Sequence, residues 1–166
     1  MEIMFKSPLI VKPIPKNGAE YRPDMVEKDS YELSQDLLFD IEGQSFAVPQ
    51  SFRYDGASIP AIFWQLTFSP FAPDVMRAAA IHDWFYYTHP FGENSKGRNK
   101  VDRVFKTMLL MENVSKFKTA LMYQAVSLFG WTVWENSDYD RNMLKIVFEK
   151  VKKSPNFPLY KFADIL

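Results

Sequence analysis

From Met76 to Tyr87 the chain is almost unbroken apolar sequence after Arg77, and in the middle of that run stand His82 and Asp83. An imidazole and a carboxylate side by side in a segment bound for the interior are costly unless both are hydrogen-bonded or metal-bound. A second apolar pattern, Val101-Asp-Arg-Val-Phe105, is interrupted in the same way by Asp102. Two core helices, each broken by a polar side chain, point to one site shared between them. The fold must therefore bring residues twenty positions apart face to face.

The hydrophobic period says how. Residues 1–54 read as extended. Pro8 to Pro15 suits an edge strand, where proline is tolerated. Tyr31 to Ile41, a Glu42-Gly-Gln turn and Ser45 to Val48 form a predicted hairpin, with Gly43 supplying the turn. Phe52-Arg-Tyr54 continues into the loop Asp55-Gly-Ala-Ser-Ile-Pro60, and Pro60 to Phe71 is aromatic and partly helical. From Pro73 the period becomes helical, with Pro73 and Asp74 making a favourable helix start. That helix is expected to reach about Tyr87 and to end at Pro90 and Gly92. A second, capped by Ser95 or Asn99, runs to about Met111. Ser115 caps a third, through Phe129-Gly130, and Ser137 caps a fourth, to about Lys153. The expected fold class is α+β, with an N-terminal antiparallel β hairpin or sheet packed on a mostly helical C-terminal half. One domain, 1–166, is expected: 1–60 mainly β and loop, 61–154 mainly helical, and an apolar tail at 155–166 that docks on the body or on a partner.

Bulk properties narrow the function. Twenty basic and twenty acidic side chains cancel, which argues against a general affinity for nucleic acid or for an anionic membrane surface. The stretch from Lys145 to Lys153 is the local exception. There is no cysteine, hence no disulfide frame and no thiolate chemistry. No apolar stretch approaches the roughly 20 residues that span a bilayer, so no transmembrane segment is expected. The first residues have no signal-peptide pattern. A soluble chain made in a cytoplasm is the expectation.

The two histidines differ in setting. Residues four apart share a helix face, so Ala78, His82 and Tyr86 line one stripe, with Asp83 about 100° round from it. If the Asp102 helix packs antiparallel, Asp102 can bond one imidazole nitrogen and leave the other free, which is how a histidine becomes a general base. Tyr86 can brace Asp102. Asp83 is then available to a hard cation, with Asp55 and Gly56 supplying further oxygens and a close backbone approach. A satisfied structural pair has the same sequence signature, and Asp55-Gly56 alone is a turn. His89, ahead of Pro90 at a helix end, reads as a histidine placed on the negative end of the dipole. Arg77 and Arg98 read as contacts to a phosphate or as partners of surface carboxylates, and the four tryptophans read as core.

Several motifs also carry a resemblance. Val48-Pro-Gln-Ser-Phe-Arg-Tyr-Asp-Gly-Ala-Ser-Ile-Pro60, Ala79-Ala-Ile-His-Asp-Trp-Phe-Tyr86, Val101-Asp-Arg-Val-Phe105 and Met122-Tyr-Gln-Ala-Val-Ser-Leu-Phe-Gly130 together resemble the domain of unknown function 1353 family, over roughly residues 30–135. The resemblance implies a phage or prophage origin and no particular activity. His82-Asp83-x-x-Tyr86 followed by Asp102 is also similar to the catalytic pattern of the phospholipase A2 superfamily, especially its cysteine-free parvovirus capsid type. That similarity implies that His82 activates water for attack on an ester, Asp102 orients His82 and Tyr86 supports Asp102. It further implies that Asp83 ligates calcium, which stabilises the oxyanion. The superfamily's glycine-rich calcium loop lies closer to its histidine than Asp55-Gly-Ala-Ser lies to His82, and secreted members pin their helices with disulfides that this chain cannot form.

Two expectations of different class follow. One is a phage-encoded hydrolase acting on phospholipid. The other is a non-enzymatic virion or tail assembly protein that binds other virion proteins through its aromatic segment and tail. A metal-dependent phosphoesterase has too thin a ligand set. No P-loop, dinucleotide, zinc or nucleophile-elbow motif is present, and no nucleic-acid partner is expected. The expected location is the host cytoplasm during synthesis, with incorporation into the particle on the second reading.

Overall fold

The computed structural model describes residues 1–14, 30–54, 72–134 and 141–162, the side chains of 141–143 excepted. The expected Ser137 cap, the Asp55-Gly56 loop, the aromatic segment 60–71 and the last four residues of the tail lie outside the described residues. The fold class is α+β, with antiparallel sheets N-terminal and helices C-terminal. Two compact units form, one from 1–55 with 138–166 and the other from 56–137.

The first unit holds two three-stranded antiparallel sheets. β1 (Ile3–Phe5), β4 (Leu37–Ile41) and β5 (Gln44–Val48) form one, in the order β1-β4-β5. β2 (Val11–Ile14), β3 (Ser30–Leu33) and β6 (Arg53–Tyr54) form the other, in the order β2-β3-β6. Along β4 the period of two is visible, since Leu37, Phe39 and Ile41 are buried while Leu38 and Asp40 are half-exposed. The β4–β5 hairpin closes with Ile41 opposite Gln44. Its two turn residues, Glu42 and Gly43, have φ of 50° and 79°, as the tight turns that match strand twist demand. Gln44 is thus a strand residue, not part of the turn. The expected continuous segment from Tyr31 to Ile41 is instead cut at 34–36 into strands of two different sheets.

Asp36 sits at that cut and ties the unit together. Its Oδ1 accepts the Gln50 backbone N–H at 2.8 Å, and its Oδ2 accepts from Asn156 Nδ2 at 2.8 Å and from the Tyr160 hydroxyl at 2.7 Å. Burial and then the Asp36 charge hold the Tyr160 phenol protonated, well above its ordinary range. The tail therefore docks on the body of its own unit: Tyr160, in a 3₁₀ turn at Phe157–Tyr160, and Phe162 are buried. Helix α5 (Arg141–Val151) joins them there through Leu144, Val147 and Val151.

The second unit is helical in its described part: α1 (Pro73–Thr88), α2 (Ser95–Met111), α3 (Lys116–Phe129) and the short α4 (Trp131–Trp134). Proline in the first turn of α1 and Asp74 behind it act as the sequence implies. The cap of α2 is neither Ser95 nor Asn99. Asn94 takes that place, its side-chain oxygen accepting from Lys96 N and Gly97 N, because an amide acceptor must stand one residue before the first turn to meet those donors. Ser115 caps α3 as expected. Among the described residues no helix is long and apolar enough to cross a membrane.

Asp36→Ala removes the shared acceptor of three donors, each contributing about 1 kcal/mol net. We expect a loss of roughly 2–4 kcal/mol in urea unfolding; a loss below about 1 kcal/mol would mean the tail is held by its aromatic packing alone.

Candidate functional site

α1 is buried on nearly every side, with Ala78, Ala79, Ala80, Ile81, Trp84 and Phe85 at 1% exposure or less. Its polar residues therefore need partners from a neighbouring helix, and α2 supplies them. The two helices run antiparallel: Arg77, early in α1, meets Glu112 beyond the end of α2 at 3.2 Å, while His82 meets Asp102 nearer the middle.

The contact is specific. His82 Nε2–H donates to Asp102 Oδ1 at 3.1 Å, and the Tyr86 hydroxyl donates to the same oxygen at 2.7 Å. A carboxylate can only accept, so a neutral imidazole is fixed with its proton on Nε2 and its lone pair on Nδ1. Phe105 and Tyr86 pack on the imidazole with ring centroids at 4.7 and 4.2 Å. Asp102 is fully buried, and its second oxygen, Oδ2, has no hydrogen-bond partner.

The other end of the ring differs. Nδ1 lies 3.8 Å from Asp83 Oδ1, too far for a hydrogen bond but close enough for the charge to act. The Asp83 side chain is 18% exposed, against 9% for His82 and 1% for Asp102. The imidazole thus has one nitrogen fixed by a buried carboxylate and another with no hydrogen bond among the described residues. Burial pushes the His82 pKa down, but the hydrogen bond and charge of Asp102 and the charge of Asp83 outweigh it, leaving the pKa above 6.5. Tyr86 is pushed far up by burial first and then by Asp102, and stays a hydroxyl donor.

The sequence expectation brings His82, Tyr86 and Asp102 together, with Asp83 beside them. Asp55 and Gly56, the other expected metal contributors, lie outside the described residues. Among the described residues no group of three or more His, Asp or Glu is arranged to hold a metal. Three neighbours were not expected. Gly130 leaves room for the Tyr86 hydroxyl, Trp134 meets the Tyr86 ring edge-on at 4.9 Å, and the Arg98 charge acts on that hydroxyl. Arg98 had a signal: it stands four residues before Asp102 and so shares its helix face. Gly130 and Trp134 had none, since their proximity comes from tertiary packing.

His89 departs from its dipole reading. It is the left-handed residue that ends α1, with φ of 44°, its N–H bonded to Phe85 O at 2.9 Å and its ring 4.0 Å from that of Trp134. Burial lowers its pKa, so it is held neutral rather than as a cation. Arg77 pairs with Glu112, as one of its two readings had it. Trp84 and Trp134 are core, but Trp131 is 52% exposed.

Residues 31–126 match the family described as "Protein of unknown function (DUF1353)", which is more than half of the chain. The chain belongs to that family. His82, Asp83, Tyr86 and Asp102 all lie within the matched segment of this DUF1353 chain. Two relatives come from Sinorhizobium fredii. The uncharacterized protein y4jT is 36% identical over 106 residues, covering 62% of this chain and 30% of the relative. The uncharacterized protein y4iH is 32% identical over 91 residues, covering 55% and 36% respectively. The chain therefore spans about a third of the length of the curated relatives it matches. No solved structure matches this DUF1353 chain.

The two histidines make opposite contributions to stability. A histidine with a raised folded pKa stabilises below its unfolded value and loses that contribution as pH rises through the folded pKa, so the His82 contribution is present below 6.5 and is lost above it. His89, lowered, costs stability when pH falls below 6.5. Urea midpoints measured from pH 5 to 9 are expected to decline above about 6.5 in the wild type and to lose that decline in His82→Gln. An unchanged decline in the variant would assign it to other groups.

Proposed function

We propose that this DUF1353 protein is an ester hydrolase, phospholipase A2-like, in which His82 is the general base. One observation carries the reading: Asp102 fixes Nε2 at 3.1 Å while Nδ1, 3.8 Å from the half-buried Asp83 carboxylate, has no hydrogen-bond partner within 3.5 Å among the described residues. Asp102 holds the ring in one tautomer, which is what a general-base histidine needs. The motif resemblance supplies the substrate class, a phospholipid ester, and a phage or prophage setting.

Water held between Nδ1 and the ester attacks the carbonyl carbon. Its proton passes to Nδ1, giving an imidazolium that Asp102 stabilises. The tetrahedral intermediate then breaks its C–O bond to the leaving alcohol, and Nδ1–H returns the proton to that oxygen. The products are a fatty acid and a lysophospholipid, and His82 is neutral again. Tyr86 keeps Asp102 aligned throughout. On this reading Asp83 would be a ligand of calcium, as the motif resemblance implies. The described donors are too few on their own, so its remaining oxygens must come from residues outside them, from water or from lipid. Calcium, when bound, supplies Lewis-acid stabilisation of the oxyanion.

A second reading, a virion or tail assembly protein, is favoured by a different observation. Phe117 is 74% exposed, Leu128 63% and Trp131 52%, and exposed large apolar side chains in number are what subunit interfaces use.

The deciding experiment is fatty-acid release from mixed phospholipid vesicles, with and without calcium, by wild type, His82→Ala and Asp83→Ala. We expect calcium-dependent release that falls at least about 100-fold in His82→Ala and is lost in Asp83→Ala. Because the His82 pKa is raised, the rate is expected to climb with pH along a limb lying above 6.5. No release by folded wild type under any condition would favour the assembly reading; release unaffected by His82→Ala would remove His82 from the chemistry.

A further inference from the structure

The zero net charge of the chain hides an uneven distribution. The stretch from Ser95 to Trp134, which holds α2, α3 and α4, has seven basic residues and two acidic ones, a surplus of five. Neither acid offsets that surplus at the surface, since Asp102 is fully buried and Glu112 pairs with Arg77 at 3.2 Å. The exposed residues of these helices fall in rows. On α2, Lys96, Arg103, Lys106 and Leu110 recur at helical spacing, opposite the buried Val101, Val104 and Phe105. On α3, Phe117, Ala120, Gln124 and Leu128 do the same, away from the buried Met122 and Ala125. Gly130 keeps helical backbone angles, φ −62° and ψ −21°, so the exposed Trp131 continues the α3 row into α4. Lys106 Nζ lies 4.8 Å from the centre of the Tyr123 ring, which brings the basic row of α2 alongside α3.

A row of exposed apolar side chains marks a surface that meets a partner, and the cations beside it say which. Pairing with a second copy through this face would set Arg103 and Lys106 against cations of their own kind. A subunit interface gathers apolar side chains at its centre and leaves charge at the rim, whereas here the basic row runs beside the apolar one. Nucleic acid would leave Leu110 and Leu128 unused, because aliphatic side chains offer no flat face for a base. An anionic lipid surface uses both rows. Apolar side chains enter the boundary below the headgroups, tryptophan sits at headgroup level, and lysine and arginine meet the phosphates. We propose that the outer face of α2, α3 and α4 docks this protein on an anionic phospholipid membrane. Phe117, Leu128 and Trp131 insert, and Lys96, Arg103 and Lys106 lie against the headgroups. Docking goes beyond the hydrolase reading, since it needs neither His82 nor turnover.

The experiment is cosedimentation of the full chain with vesicles of ether-linked lipids, which have no ester to hydrolyse. Phosphatidylglycerol mixed with phosphatidylcholine is compared with phosphatidylcholine alone. Wild type is expected to bind the anionic vesicles at least about 10-fold more tightly, and to lose most of that preference between about 0.1 and 0.5 M salt. Arg103→Gln with Lys106→Gln is expected to weaken binding by about 10-fold or more, and Phe117→Ser with Leu128→Ser by at least as much. Tryptophan emission is expected to shift to the blue on binding, and Trp131→Phe to remove the shift while keeping most of the binding. Lys145→Gln with Lys153→Gln, in the other basic stretch, is expected to change nothing. Every substituted residue is exposed, so each variant is expected to keep its fold, which circular dichroism checks.

Wild type that stays off anionic vesicles at low salt overturns the proposal. So does binding that survives both double substitutions on the face, or that falls with the Lys145 and Lys153 pair instead. Equal binding to duplex DNA, with no blue shift on vesicles, would make this a general anion surface and overturn insertion. A dimer that Phe117→Ser with Leu128→Ser dissociates, in a chain that binds no vesicle, would give the face to a second copy. A protein that hydrolyses no ester can still pass this test, and one that does can fail it, so the two failures are separable.

Discussion

The buried carboxylate of Asp102 is the constraint around which the α1–α2 pair is arranged. A fully buried, unpaired charge costs several kcal/mol, and removing one partner of such a group is more damaging than never having built it. The helix pair meets that demand with two donors from a single face of α1, His82 and Tyr86. Apart from the Arg77–Glu112 pair at one end, α1 is buried through alanines, Ile81, Trp84 and Phe85, which do little to fix its register. A slide of one turn would take both donors off the carboxylate. The trio on which the proposed chemistry rests therefore also helps to specify how the two helices meet.

In the other unit Asp36 acts similarly, with one difference. Its three donors come from a backbone amide, an asparagine and a tyrosine, all neutral. They leave nothing to titrate near neutral pH, and the arrangement closes on itself. Glu32 is also buried, and there Arg53 and Lys12 neutralise it at 2.8 and 2.7 Å, outweighing the upward push of burial and lowering its pKa. Of these three carboxylates Asp102 alone is partnered by an imidazole, a group that can change charge near pH 7.

Legibility from sequence followed the range of the physics involved. Helix starts and the hairpin turn are local chemistry, and Pro73, Ser115 and Gly43 announce them. The α2 cap was misplaced by one residue, because Asn94, Ser95 and Asn99 are all plausible acceptors and the backbone trajectory decides among them. The pairing of His82 with Asp102 was legible because polar residues interrupting apolar periods must find each other. The split of residues 31–41 between two sheets was not, since it depends on Asp36 meeting Tyr160 from the far end of the chain. Gly130 looked like a helix terminator and is a notch for a hydroxyl. Nothing local distinguishes those roles.

The asymmetry of His82 bears most directly on function. A histidine kept for packing gains from having both nitrogens bonded, since each unsatisfied one costs about 1–3 kcal/mol when buried. His82 bonds one, to a carboxylate that also accepts from Tyr86, and leaves the other 3.8 Å from Asp83. Asp83 at that distance attracts a proton to Nδ1 without supplying a donor or acceptor that would occupy it. Water or a cation is what fits such a gap, and each requires the ring to be held from its far side. The other end, with Asp102 and Tyr86, provides that hold. The division of one imidazole into a clamped nitrogen and an unbonded one is the arrangement that the proposed general-base role requires.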